Sequence, residues 1–162
     1  MGLLDLFLPA KKNDAQFGNL VYRRRAWNGE LCIPELNEHT IQLEIQTPKD
    51  SDLSDFQGIL NALRTHIGEI KEQIADEAFK TYEIYIQEDR KAGNFTESDY
   101  AQHPTVTSTA DIWRALMPFG LTLTNDKREY NSTLWLEVDW PNPHYFVAYL
   151  KDADLYLLDV DG

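Results

Sequence analysis

Between Phe56 and Ile74 the apolar residues recur at every third or fourth position: Phe56, Leu60, Leu63, Ile67, Ile70 and Ile74. On a helix of 3.6 residues per turn these side chains form one stripe. Arg64, Glu69, Lys71, Glu72 and Asp76 fall largely off it. The rhythm continues through Ala78, Tyr82 and Tyr85, so the spacing predicts one long amphipathic helix running to Glu88. Ser54 followed by Gln57 resembles a capping box at its start. Such a stripe must lie on something apolar. A coiled coil would serve, but strand patterns flank the run on both sides, which favours packing on the chain's own sheet.

Residues 17–46 read as a three-stranded antiparallel meander. Asn28-Gly29 is the preferred dipeptide of a type I′ hairpin, because both central positions need positive φ. It is predicted to join Leu20–Trp27 to Glu30–Ile33. A second turn over Leu36–His39 leads into Thr40–Gln46, where Ile41, Leu43 and Ile45 alternate with Gln42, Glu44 and Gln46. A period of two marks a strand with one wet face. After the long helix, residues 89–107 are polar and irregular, and a short helix is predicted from Ser108, with Asp111 at N3. It carries Ile112, Trp113 and Leu116 and ends by Pro118 and Gly120.

A second meander follows. Leu121–Thr124 is a short strand. Leu134, Leu136, Val138 and Trp140 alternate with Trp135, Glu137 and Asp139. Pro141-Asn142-Pro143 turns the chain, His144–Leu150 is extended, Asp152–Asp154 turns it again, and Leu155–Val160 is the last strand. Grouped strands and grouped helices indicate α+β rather than alternating α/β. The expected fold is an antiparallel β meander, a long amphipathic helix, a short helix and a second antiparallel meander in a single domain. Residues 1–12 are expected to be an amphipathic N-terminal segment and residues 13–162 the domain.

Charge narrows the partners. The chain carries 27 acidic against 15 basic residues, a formal net charge of -12. That disfavours nucleic acid, whose phosphates need cations, and anionic membrane surfaces. It suits a basic partner, and it equally serves solubility. A lone cysteine, Cys32, allows no intrachain disulfide, which favours the cytoplasm. No apolar run is long enough to span a bilayer. Met1–Leu8 lacks the basic start and cleavage site of a signal peptide.

No pattern of catalysis emerges. His39, His66, His103 and His144 stand far apart, without a second ligand at metal spacing. Cys32, beside Leu31 and Ile33, reads as a small buried hydrophobe. Neither a nucleophile elbow nor a phosphate-cradling glycine loop is present. Glu137 and Asp139 share a strand face, which suits an acid/base pair, a metal, or simply solvated charge. No catalytic residue, metal or cofactor is therefore assigned. What remains is a set of large aromatics beside acids: Trp135, Glu137, Asp139, Trp140 and His144 at one hairpin and Trp27 at the other. These are the candidate partner-binding residues, although Trp27 and Trp140 could instead complete the core.

Several segments together carry a family resemblance. They are Met1–Phe7 with Lys11-Lys12, Phe17–Tyr22, the Trp27-x-Gly29-x-Leu31 hairpin, and the terminal Trp135…Trp140…His144…Val147 meander. The chain resembles a family of uncharacterised bacterial domains of unknown function, some relatives of which are suspected toxin-immunity proteins. The resemblance implies a non-enzymatic protein-binding domain that neutralises a bacterial toxin, with a basic toxin domain as partner. The residues leave two alternatives open. One is an enzyme with a site of dispersed residues such as Glu137, Asp139 and His144. The other is a generic regulatory interaction domain tethered by residues 1–8.

Overall fold

The structure is a computed structural model that describes residues 9–36, 40–125, 129–141 and 145–161. Eight strands form one sheet, ordered in space as in sequence. They are β1 (Lys11–Asp14), β2 (Gly18–Arg23), β3 (Ala26–Cys32), β4 (Thr40–Gln46), β5 (Leu116–Thr124), β6 (Ser132–Val138), β7 (Tyr145–Lys151) and β8 (Asp154–Asp161). Between β4 and β5 run α1 (Ser54–Ala92), the single turn α2 (Glu97–Tyr100) and a 3-10 helix (Thr109–Arg114). The class is α+β.

The two expected meanders do not flank the helix as separate layers. β4 and β5 pair in parallel, Gln42 opposite Gly120 through Gln46 opposite Thr124, and so fuse both halves into one sheet. Every other pairing is antiparallel. A parallel pair needs a long crossover, and α1 provides it. The helix lays Phe56, Leu60, Leu63, Ile67, Ile70 and Ile74 on the sheet as the stripe predicted. They meet Ile41, Leu43 and Ile45 of β4, Leu121 and Leu123 of β5, Leu134 and Leu136 of β6, and Phe146 of β7 in one core. The helix runs four residues past the expected end and stops at Gly93, which takes the left-handed conformation at φ 68°. Its 39 residues span about 58 Å at the helical rise. Eight strands cover about 34 Å at the usual spacing, so the helix is longer than the sheet is wide.

Asn28-Gly29 is not a turn. Both residues lie within β3, and the hairpin turns at Arg24-Arg25, whose φ values are 52° and 69°. Parity explains the choice. A turn at 28–29 would set Trp27 and Leu31 on opposite faces, whereas the turn at 24–25 puts Tyr22, Trp27 and Leu31 together toward the core. Asn28 braces this turn, its Nδ2 donating to the carbonyls of Arg23 (3.2 Å) and Ala26 (3.0 Å). Gly29 serves a close approach instead. A Cβ there would stand 2.8 Å from Leu20 Cδ2 and 3.0 Å from the Asn19 carbonyl oxygen.

Other expectations are corrected. β1 adds a fourth strand to the first half and begins at Lys11. Cys32 is exposed, because it follows Leu31 onto the other face of β3. Ser54 forms no capping box. Asp52 accepts from its backbone N–H and hydroxyl, and Gln57 reaches across to the Asp14 carboxylate. The helix expected beyond Ser108 is only the 3-10 turn. Its Leu116, Pro118 and Gly120 belong to β5, with a register shift between Pro118 and Gly120. A bulge is where a strand tolerates a proline. Residues 1–8, 37–39 and 142–144 carried expectations as well and lie outside the described residues.

Candidate interaction face

With α1 on one side of the sheet, none of the described helices lies over the other. Cross-strand partners point the same way, so the register defines what this face presents. One row crosses the sheet as Glu30, Gln42, Gly120, Trp135, Val147 and Asp159. The next runs Asn28, Glu44, Thr122, Thr133, Tyr149 and Leu157. Glu137 pairs with Tyr145 at one end.

Trp135 stands at the middle. Its half-buried indole lies over Gly120, where a Cβ would meet the ring at 3.5 Å, and its Nε1–H donates to Thr122 Oγ1 at 3.3 Å. A cleft of about 320 Å³ on one side is lined by Glu44, Gln46, Tyr130, Thr133 and Tyr149 together with Trp135. A second, of about 230 Å³, lies between Trp135, Phe119, Asn28 and Gln42. Two aromatic pairs frame them. Phe119 meets Tyr145 edge to face at 5.7 Å, and Tyr130 meets Tyr149 at 4.6 Å. Phe119 and Tyr145 are 40% and 45% exposed, far more than core aromatics.

The charge on this face is acidic where strands are central. Glu30, Glu44 and Glu137 face the same way as Trp135, and Gln46 Nε2 steadies the Glu44 carboxylate at 2.7 Å. Among the described residues, the cations sharing the face, Lys11, Arg23 and Lys151, are at strand ends. The aromatics Trp135, Phe119 and Tyr145 are of the types enriched at interfaces, whereas carboxylates such as Glu44 and Glu137 are typical of an interface rim or of a solvated sheet.

The five described residues of the predicted contact set are not brought together. Trp135 and Glu137 stand on the open face. Trp27 and Trp140 are buried in the core at 4% and 5% exposure, which removes them from any surface contact in this conformation. Trp27 packs edge-on to Tyr22 at 5.2 Å, and Trp140 sits between Tyr82 (5.0 Å) and Phe146 (5.5 Å). Asp139 lies beyond the end of β6, where its Oδ1 is 2.7 Å from His103 Nδ1. His144 is outside the described residues. Sequence reasoning missed Phe119, Tyr149 and Glu44. The Gln42-Glu44-Gln46 alternation was a usable signal for one strand of this face. The β5 contribution was hidden by reading Leu116–Gly120 as helix.

No group of three or more His, Cys, Asp or Glu among the described residues is placed to hold a metal ion. No described helix is long and apolar enough to cross a membrane. A family model described as a domain of unknown function, DUF6985, matches residues 16–153. The chain belongs to the DUF6985 family. Searches of curated proteins and of solved structures find no match. The DUF6985 match spans β2 to β7 and the turn after it, so it contains the whole centre of the open face and leaves both edge strands outside.

Proposed function

We propose that this DUF6985 domain is a non-enzymatic protein-binding module whose contact surface is the uncovered face of the sheet. The observation that carries the reading is Trp135. It is a half-buried indole at the centre of a face that no described helix covers, between two clefts and among Glu44, Glu137, Phe119 and Tyr149. Large aromatics anchor interfaces, while surrounding charge steers encounter and selects partners. The net charge of -12 and the central carboxylates favour a basic partner surface. A basic bacterial toxin domain, held in an inactive complex in the cytoplasm, is the form of this function that the sequence resemblance favours. An enzyme built from dispersed acid and histidine groups is the second reading. It would draw on the contact between Asp139 and His103, away from Trp135.

The test is co-expression with the product of the neighbouring toxin gene, using the full chain and its Trp135→Ala and Glu137→Lys variants. Wild type should form a salt-sensitive complex and protect the cell, and both variants should lose the protection. Protection unaffected by either substitution would sink the open-face assignment. The absence of any such gene would remove the immunity form.

A further inference from the structure

Where α1 outruns the sheet, its last turns are met by α2 and the turn after it. Between them lies a cleft of about 220 Å³, which shares no lining residue with the two clefts of the open face. Tyr82 and Arg90 of α1, Tyr100 and His103, and the buried Trp140 line it. Two of its groups are fully buried and have no partner among the described residues: the Tyr100 hydroxyl and the Trp140 Nε1–H. An indole N–H can only donate. Buried polar groups nearly always find a partner in protein, water or ligand.

The remaining chemistry of the cleft is weighted the same way. The Arg90 guanidinium, a donor at every nitrogen, lies 5.0 Å from the Tyr100 ring centre. Burial pushes the hydroxyls of Tyr82 and Tyr100 up from the usual tyrosine value, so both stay protonated. The nearby carboxylates already have partners. Asp139 is held by His103 Nδ1, which leaves the Nε2 atom of that ring for another contact, and Glu97 pairs with Arg90 Nε at 3.5 Å. The Glu97 side chain is 81% exposed, so this pairing is solvent-screened and easily exchanged for a better acceptor. The rings of Tyr82 and Trp140, 5.0 Å apart, supply flat apolar surface.

We propose that this cleft binds a small planar carboxylate. The carboxylate replaces Glu97 on Arg90 and accepts from the Tyr100 hydroxyl, and the flat body of the ligand lies against Tyr82 and Trp140. The volume is below that of a drug-sized pocket and admits about one ring. A cation is disfavoured by Arg90 and by the Trp140 Nε1–H, which can only donate. A neutral ring without an acceptor atom would leave the Tyr100 hydroxyl unpaired.

Benzoate titrated into the full chain, followed by the indole N–H resonances, tests the assignment. Saturable binding that shifts the Trp140 Nε1–H signal is expected. Arg90→Gln and Tyr100→Phe should each weaken it by about tenfold, the scale of one hydrogen bond to a charged group, and Glu97→Gln should strengthen it. Arg90 is largely exposed, so its variant folds. Tyr100→Phe should also raise the melting temperature of the unliganded protein, because an unpaired buried hydroxyl is gone. Trp135→Ala should leave benzoate binding unchanged, which separates this site from the open face. The proposal fails if benzoate gives no saturable shift, if inorganic phosphate binds as tightly, or if neither Arg90→Gln nor Tyr100→Phe alters the affinity.

Discussion

The two faces of this sheet are made from alternate residues of the same strands and meet opposite environments. On β4, Ile41, Leu43 and Ile45 are buried beneath α1, while Gln42, Glu44 and Gln46 face away from it. On β6, Leu134 and Leu136 are buried and Trp135 and Glu137 turn outward. Packing alone accounts for the covered face, since each of its side chains fills a place in a close-packed core. It does not account for the open one. A solvated sheet face has no need of a tryptophan, or of exposed Phe119 and Tyr145, to stay folded. The contrast separates side chains that pack the core from large aromatics left exposed on the open face.

Substitutions can break that contrast, and they divide by face. Phe146 is completely buried on the covered side. Phe146→Ala should lower stability in urea unfolding by about 3–5 kcal/mol, the range for a large aromatic lost from a core. Gly29 occupies the same side, in the row of Leu43. Gly29→Ala forces a methyl group against Leu20 and the Asn19 carbonyl, and a loss of about 1–3 kcal/mol is expected in the same measurement.

On the open side the effects should invert. Trp135→Ala is expected to lower stability by about 1 kcal/mol while abolishing partner capture. A loss as large as that of Phe146→Ala would mean Trp135 is a structural residue, and the functional distinction between the faces would fall. The smallest effect concerns the turn that decides which residues reach which face. Arg25 holds a left-handed conformation that glycine adopts freely. Arg25→Gly should stabilise the protein by about 0.5–1 kcal/mol in thermal or urea unfolding. Destabilisation would show that the arginine side chain contributes more than its backbone strain costs.

A second two-residue turn follows the same design. Asp152 and Ala153 have φ values of 50° and 71°, and Asn131 bonds Asp152 through both its amide nitrogen and its carbonyl oxygen. In both hairpins an asparagine outside the two central positions braces the turn, and Arg24, Arg25 and Ala153 are residue types that seldom take the left-handed conformation. That is why the Asn-Gly dipeptide misled. Local propensity at 28–29 is real, but it is worth less than the burial of Trp27 and Leu31 on one side. Where a turn signal and a parity requirement conflict, the buried area decides.

The class, the long helix with its buried stripe, and the strands β4, β6, β7 and β8 were legible in the sequence because each rests on periodicity, a property of neighbours along the chain. The acidic balance was legible too, because it is a property of composition alone. Contacts between distant segments were not. The parallel pairing of β4 with β5, the conversion of Leu116–Gly120 from helix to strand, and the burial of Trp27 and Trp140 all depend on which surfaces meet after folding. So does the meeting of His103 with Asp139, 36 positions apart. Alternation along β6 could say that Trp135 and Trp140 point to different sides. Tertiary structure decided which side the helix would cover, and so placed Trp140 in the core and left Trp135 facing outward.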